Sequence, residues 1–360
     1  MKKLTLGDVC KKESSNIAQK DIMECEGEYP IYGAGGFIKN VNFYQQELPY
    51  IAVVKDGAGI GRTMLLPAYS SVIGTMQYIL PIDYESIDLQ YLYYAIVHMD
   101  LGKYFSGATI PHIYFKDYKK EKLFLPEICE QQRISLLLKQ VDLMIEKQNN
   151  QVELVDKLVQ SRFVEMFGNP VLNEKGWRTK PLLDMGNCKN GMNFHYDDCG
   201  VEINCLGVGD FKDLSVIDDT KQLPTVSLNE MPSEEYLLKD NDIVFVRSNG
   251  NKELVGRSIA VYPGNVATTF SGFCIRYRKY DDEVIIPYLL RVLKTDSIRR
   301  KMAGRGANIQ NLNQQILGTL IVPIPPLELQ NRFADFVQQV DKSKLSDLLP
   351  WKNYSHYLIA

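Results

Sequence analysis

The stretch Pro126–Pro170, PEICEQQRISLLLKQVDLMIEKQNNQVELVDKLVQSRFVEMFGNP, decides the fold of this chain. Pro126 opens the stretch, and Gly168 with Pro170 closes it. These residues are start and stop signals of a helix, because proline fits the first helical turn and glycine tolerates a left-handed cap. Nothing between Glu127 and Phe167 is proline or glycine. We therefore predict one helix of about forty residues, which would be about 60 Å long.

The apolar residues of this helix recur at alternating steps of four and three, which is the pattern of a coiled-coil seam. Gln148 and Arg162 interrupt the pattern. Such a long helix is rare within a compact domain, so we expect it to join two domains and to need a partner helix. The alternative is an ordinary amphipathic core helix. The predicted seam positions are Ile134, Leu138, Val141, Ile145, Val152, Val155 and Val159.

The length of the chain, 360 residues, allows two or three domains. A net charge of −3 argues against a uniformly basic nucleic-acid coat, although local basic patches can still bind DNA. The seven cysteines are scattered without a C-x-x-C pair, which favours a reducing compartment. No run of eighteen apolar residues and no signal-peptide core occur, so we expect a cytoplasmic protein without a membrane partner.

The chain contains an internal repeat. The dipeptide Gly107-Ala108 recurs as Gly306-Ala307, and Val141-Asp142 recurs as Val340-Asp341. The residues that open the long helix recur at the same offset, with Pro126, Gln131 and Arg133 matching Pro325, Gln330 and Arg332. Weaker parallels lie upstream and join Gly61-Arg62 to Gly256-Arg257, Tyr91-Leu92 to Tyr288-Leu289, and Leu6 and Asp8 to Leu182 and Asp184. The period far exceeds that of a solenoid, so we predict a domain duplication.

Each globular part is predicted to mix strands and helices. Runs rich in β-branched and aromatic residues predict strands at 50–54, 78–80, 243–246 and 259–262. Helices are predicted at 89–99 and 288–302. The predicted organisation is a first domain at 1–125, a central helix at 126–170, a second domain at 171–324, and a shortened C-terminal helix with its tail at 325–360.

The second long helix departs from the first. Its seam positions are Phe333, Val337 and Val340, but the next one holds Lys344. Pro350 is then predicted to end the helix, which makes it about half as long as the first.

The sequence contains no catalytic motif that we can identify. It lacks a P-loop, a complete dinucleotide-binding loop and a nucleophile elbow. His195, Cys199 and Cys205 lie close in sequence, but their spacing does not favour a metal site. The acidic and basic residues at 240–253 favour a solvated turn over a nuclease cluster. We therefore expect a binding protein or a scaffold and no enzyme, with no cofactor and no metal of its own.

Two similar stretches follow buried strands, at 53–62 and 245–257. Each places basic or amide side chains on a glycine-rich turn, where arginine and lysine can bond guanine and asparagine can bond adenine. The alternative is an ordinary hairpin with solvated charges. A further basic group, Arg299-Arg300-Lys301 with Arg305, could neutralise phosphate, or it could be a solvated helix end.

The layout resembles the specificity subunit of type I restriction–modification systems over nearly the whole chain. The residues that carry the resemblance are Leu125-Pro126 through Gln131-Gln132-Arg133-Ile134, the repeat from Ile324 to Phe333, the Gly-Ala turns, and 242–250. It implies an α+β fold with two tandem mixed α/β target recognition domains, separated and followed by long helices that pair as an antiparallel coiled coil.

The resemblance also implies a function. Each domain would read one half of a split double-stranded DNA target, and the helices would set the spacing. Modification subunits, two in number, would carry S-adenosylmethionine and methylate adenine, and restriction subunits would supply ATP- and Mg-dependent translocation and cleavage. Transferred by position, the expected DNA contacts are Lys55, Arg62, Arg247, Asn249, Lys252 and Arg257, and the basic group described above adds Arg305. The short second helix leaves open a truncated or recombined inactive form, and a protein-interaction adaptor is the other alternative.

Overall fold

The computed structural model describes residues 2–57, 59–107, 111–194, 199–211, 215–251, 253–303 and 311–352. The chain divides into two compact units, Met1–Asn149 (unit 1) and Asn150–Ala360 (unit 2). The division falls inside the long central helix, so each unit contains one half of it. The domain bounds expected from the sequence stay a prediction.

Unit 1 is built on a four-stranded sheet and a three-stranded sheet. Its strands are β1 (Lys2–Thr5), β2 (Cys10–Ser14), β3 (Tyr29–Gly33), β4 (Gly36–Val41), β5 (Tyr50–Val54), β6 (Thr63–Leu66), β7 (Ser71–Val72), β8 (Met76–Pro81) and β9 (Lys122–Leu125). Its helices are α1 (Leu6–Val9), α2 (Leu89–His98), α3 (Phe115–Tyr118) and the first half of α4 (Ile128–Phe167). The strand orders are β2-β8-β5-β6 and β4-β3-β7, and β1 pairs with β9.

Strand β5 explains how this sheet is buried on both faces. Successive side chains of a strand point to opposite faces. Ile51 and Val53 therefore pack with Leu92 and Ile96 of α2, while Ala52 and the other alternate residues join a separate cluster on the opposite face. A strand covered on both faces needs a continuous apolar run, which is why YIAVV is recognisable in the sequence.

Unit 2 repeats this topology with a few additions. Its strands are β10 (Arg178–Pro181), β11 (Gly186–Asn190), β12 (Val201–Leu206), β13 (Val216–Ile217), β14 (Thr225–Leu228), β15 (Asp242–Val246), β16 (Ser258–Val261), β17 (Thr268–Phe270), β18 (Cys274–Lys279) and β19 (Ile321–Ile324). Its helices are the second half of α4, α5 (Ile286–Lys294), α6 (Asp296–Ala303), α7 (Gln314–Gly318) and α8 (Leu327–Lys352). The strand orders are β11-β18-β15-β16-β13 and β14-β12-β17, and β10 pairs with β19.

The two topologies confirm the predicted duplication. In both units the three-stranded sheet has one antiparallel and one parallel pair, with β3 matching β12. The first buried leucines, Leu6 and Leu182, donate their backbone N–H groups to Glu121 and Leu320 at 2.8 Å in both cases. The parallels that were weak in the sequence therefore mark equivalent positions in space.

The structure confirms the long helix and corrects two other predictions. Helix α4 has 40 residues and ends before Gly168, whose φ of 77° is left-handed. The predicted helix at 288–302 is two helices, because Thr295 between α5 and α6 is extended, with a ψ of 142°. Helix α8 has 26 residues and continues two residues past Pro350, so the prediction that this proline ends the helix is wrong. The helix can include Pro350 because the fixed φ of proline is compatible with a helix, and only two helical residues follow it.

A buried glutamine fixes the start of each long helix. Gln131 and Gln330 are both fully buried. The Gln131 amide accepts from the N–H of Asp88 at 2.9 Å and donates to Ser86 and Pro126 at 2.9 and 2.8 Å. Gln330 makes the same three bonds, to the N–H of Ile285 at 2.9 Å and to the carbonyls of Glu283 and Pro325 at 2.9 and 2.8 Å. Each glutamine amide thus holds the start of its long helix against the loop that precedes α2 in unit 1 or α5 in unit 2.

An aromatic cluster joins the end of α4 to the start of α8 within unit 2. The Phe333 ring is fully buried and lies 5.5 and 5.6 Å from the rings of Phe163 and Phe167, centroid to centroid. Tyr288 of α5 lies 4.8 Å from Phe167. These rings belong to the main core of unit 2, so the two long helices contribute directly to its stability.

The predicted seam residues have different environments. Val159 is 8% exposed, and Val337 and Val340 pack beside it against the core of unit 2. Ile145 and Val152 are 52% and 37% exposed, whereas Ile134, Leu138, Val141 and Val155 are partly buried. Pairing along the whole seam therefore stays a prediction. None of the helices within the described ranges is both long and apolar enough to cross a membrane.

Candidate nucleic-acid interface

The loop after β5 is closed by backbone hydrogen bonds. The Val54 N–H donates to the Arg62 carbonyl, and the Gly61 N–H donates to the Val54 carbonyl, both at 2.9 Å. Gly61 has a φ of 80°, and a Cβ there would lie 2.4 Å from the backbone nitrogen of Gly102. Glycine is therefore required at this position on two grounds, conformation and space.

The loop after β15 is closed in the same way. The Val246 N–H donates to Arg257 at 2.9 Å, and the Gly256 N–H donates to Val246 at 2.8 Å. Gly256 has a φ of 75°. Lys55 and Arg247 thus occupy equivalent positions, as do Arg62 and Arg257.

A second loop docks on the first in each unit. Ile113 donates its N–H to the Lys55 carbonyl, and Leu312 donates its N–H to the Arg247 carbonyl, both at 2.9 Å. In the sequence, these loops follow the repeated Gly-Ala dipeptides. Each unit therefore brings two chain segments together at the end of its central strand, and side chains from both segments meet there.

In unit 1 the meeting point is charged. The His112 ring contacts the Asp56 carboxylate, and the Lys55 ammonium lies 3.8 Å from the same carboxylate. Arg62 is exposed and donates from Nη1 to the Ala34 carbonyl at 2.7 Å. The sequence pointed to Lys55 and Arg62 but not to Asp56 and His112, because 56 positions separate that pair along the chain.

In unit 2 the meeting point is a neutral, open cleft with a volume of about 450 Å³. Arg247 lies beside it and donates from Nη1 to the Gly272 carbonyl at 3.1 Å. Phe273 is 61% exposed at the cleft. The sequence predicted Asn249 but missed Phe273 and Asn311. The lining residues are Val208, Ser248, Asn249, Gly250, Phe273 and Asn311.

Of the other expected DNA contacts, the structure places only Arg257. Lys252 and Arg305 fall outside the described residues. Arg257 lies near Lys294 and Arg299, where its charge helps to lower the pKa values of both. The structure thus brings Arg247 and Asn249 close to one cleft and places Arg257 with a separate basic group.

The residues considered for catalysis have structural surroundings. Asp242 is fully buried, and its two carboxylate oxygens accept hydrogen bonds from Nε and Nη2 of Arg278, both at 2.7 Å. Burial raises the pKa of the Cys10 and Cys274 thiols to about 12, so neither is a thiolate at neutral pH. Within the described ranges, no three His, Cys, Asp or Glu side chains are grouped to hold a metal; His195 lies outside those ranges.

Comparison with known proteins identifies the family. The model of the type I restriction modification DNA specificity domain matches residues 1–154 and again 174–348. The MjaVIII specificity subunit of Methanocaldococcus jannaschii is 22% identical over 81% of this chain and 72% of its own length. The StySPI specificity subunit of Salmonella potsdam is 25% identical over 66% of this chain and 53% of its own length.

A solved structure has the same fold. The type I restriction-modification S subunit from M. genitalium aligns with 99% of this chain and 94% of its own, with a TM-score of 0.57 and 17% identity. Two matched domains in one chain agree with the duplicated sheets and duplicated loops described above. The chain therefore belongs to the type I restriction–modification DNA specificity family, as a non-catalytic DNA-recognition subunit with two tandem domains.

Proposed function

We propose that the chain reads a bipartite DNA target, with one half-site bound by each unit. The observation that carries the proposal is the repetition of one loop arrangement at equivalent places in both units. The backbone bonds are the same, but the side chains presented are different. Equal scaffolds with unequal side chains suit a target whose two halves differ in sequence.

The side chains at the two meeting points fit base recognition. Lys55 and Arg247 supply donors that match the O6 and N7 acceptors of guanine in the major groove. Asn249 offers an amide that can bond adenine, and the exposed ring of Phe273 can contact a thymine methyl group. The exposed Arg62 side chain can bind a DNA phosphate, and such contacts set the position of a protein on DNA.

We further propose that the two long helices pair in antiparallel fashion and dock two modification subunits. Exposed apolar side chains on α4 support a docking role, because a soluble helix rarely exposes so many. These side chains are each about half exposed and are Leu136, Leu137, Leu143, Met144, Leu154 and Leu158. Restriction subunits complete the proposed assembly in the cytoplasm. S-adenosylmethionine, ATP and Mg would be bound by those partners, and this chain would carry no cofactor.

A map of adenine methylation tests this function. Cells expressing the chain with its modification subunit should methylate one split motif, whereas cells with the modification subunit alone should not. Such a motif would give both half-sites and their spacing. Methylation without sequence preference would contradict the proposal, and a chain that binds its partner but directs no methylation would favour the adaptor alternative.

Replacing Arg247 by alanine should weaken or relax recognition at one half-site only. We expect a loss of about tenfold to a hundredfold in methylation rate at the cognate base, since one bidentate contact contributes about 1–3 kcal/mol. The backbone bonds of Arg247 do not need its side chain, so co-purification with the modification subunit should be unchanged.

The matched variant is Lys55→Ala, which should affect the other half-site. Rates measured on DNA duplexes altered in one half at a time would separate the two effects. Equal losses at both half-sites, or loss of co-purification, would show that these positions support the assembly instead of reading bases.

A further inference from the structure

Three basic side chains converge between α5 and α6 in unit 2. Arg291 and Lys294 lie three residues apart and share one face of α5. Arg299 comes from α6 and lies beside Gly256, where a Cβ would be 3.2 Å from its Nη1 atom. All three side chains are only partly exposed. Glycine at position 256 thus leaves the space that the Arg299 guanidinium occupies.

Two nitrogen donors of this group have no acceptor within the described part of the chain. Arg291 Nε and Arg299 Nη1 are buried and make no hydrogen bond there. The other contacts use neutral oxygens, with Lys294 Nζ donating to Ser215 Oγ at 2.7 Å and Arg299 Nη2 donating to the Glu253 carbonyl at 2.8 Å. A buried charged donor without an acceptor is costly, so this place favours an added acceptor.

The electrostatics point in the same direction. Burial, followed by the charges of Arg291, Arg257 and Arg299, lowers the pKa of Lys294 to about 8, while the charge of Asp156 opposes them. Burial lowers the pKa of Arg299 as well. The carboxylates that interact with these cations are Asp156 of α4 and Asp296 of α6. Within the described part of the chain, the three cations Arg291, Lys294 and Arg299 outnumber these two carboxylates, and burial lowers the pKa of each.

We propose that Arg291, Lys294 and Arg299 form a binding site for a phosphate group. A phosphate has several acceptor oxygens around one centre and a negative charge that offsets the surplus of cations. Guanidinium groups pair with it through two parallel donors, and an ammonium adds a point charge. The phosphates of the DNA backbone and a free phosphate anion present the same recognition chemistry to this site.

The site is specific to unit 2. The repeat that aligns Tyr288 with Tyr91 places Tyr94 and Val97 where unit 2 has Arg291 and Lys294. Tyr94 donates its hydroxyl to the Asp142 carboxylate at 2.7 Å, so unit 1 has an uncharged side chain in place of the Arg291 cation. The duplicated scaffold has therefore gained an anion site on one side only.

The first experiment compares the unfolding temperature of the full chain in potassium phosphate and in potassium chloride at equal ionic strength. Occupying the site should add about 3–6 °C in phosphate. Lys294→Met should lose most of this increment, because it keeps the aliphatic stem and removes the charge. Arg300→Met is the matched control, since Arg300 lies exposed on α6 next to Arg299.

The control cancels the general stabilising effect of phosphate on proteins. An increment kept by Arg300→Met and lost by Lys294→Met would support the site, and equal increments in all three proteins would overturn it. Lys294→Met should also be at least as stable as the wild type in chloride, which separates loss of binding from loss of folding. This test does not require DNA recognition, so its failure would leave the proposed function untouched.

A second measurement identifies the source of the phosphate. The affinity for target DNA is measured against salt concentration in the assembled complex. A slope reduced by about one in Lys294→Met would assign the site to the DNA backbone. An unchanged slope together with the lost phosphate increment would assign it to a free phosphate or nucleotide.

Discussion

Replacing Phe333 by alanine is expected to lower the free energy of unfolding of unit 2 by about 3–5 kcal/mol. The ring is fully buried and lies within 5.6 Å of Phe163 and Phe167, centroid to centroid. Its removal would leave a cavity among aromatic side chains that come from two long helices and α5. Those helices cannot collapse into the space without moving the core that they cover.

Denaturant unfolding followed by tryptophan fluorescence would measure this effect, because Trp177 lies in unit 2 and donates its indole N–H to the Phe167 carbonyl at 3.0 Å. The matched control is Phe273→Ala, whose ring is 61% exposed in the same unit. We expect the control to change the unfolding free energy by less than about 0.5 kcal/mol. Similar losses for both variants would contradict the assignment of Phe333 to the core.

Replacing Gln330 by alanine is expected to cost about 2–4 kcal/mol, the second-largest effect. The substitution removes three hydrogen bonds and leaves the Ile285 N–H and the carbonyls of Glu283 and Pro325 without their partner in a buried place. Gln131→Ala should destabilise unit 1 to a similar extent, because its three bonds are equivalent.

Hydrogen exchange of the backbone amides would locate the two losses. Protection should fall at Ile285 in Gln330→Ala and at Asp88 in Gln131→Ala, each in its own unit. The controls are Gln339→Ala and Gln132→Ala, which change exposed glutamines of the same helices. Equal loss of protection in the controls would show that helix propensity, not the buried amide, explains the effect.

The sequence predicted the large features because each has a local cause. Helix α4 follows from the proline and glycine at its ends and from the absence of both between them. The repeated Gln131 and Gln330 revealed the duplication, but their role needed the structure, since their partners lie about 45 positions away. Thr295 was missed because an extended residue between two helices leaves no proline or glycine to mark it.

The recognition sites were predicted less completely. Lys55, Arg247 and Asn249 were found because they follow recognisable strands. His112 and Asn311 come from a second segment in each unit. That segment docks through backbone hydrogen bonds, which residue types in the sequence do not predict. The cleft in unit 2 is lined by residues from four separate segments of the chain. One of them is Phe273, which lies in the turn immediately before β18. Contacts between segments that lie far apart in the chain cannot be predicted from local sequence patterns.

The way the loops are held has a consequence for how such proteins change over time. The bonds that hold the loop backbone at Lys55 and Arg247 run from backbone to backbone, so they form whichever side chain stands at either position. Mutation at these positions can therefore change the chemistry presented to DNA while the backbone bonds that shape the loops are kept. Loops held in this way let a bacterium or archaeon acquire a new DNA target by mutation. The partner subunits that depend on the fold of this chain would continue to bind it.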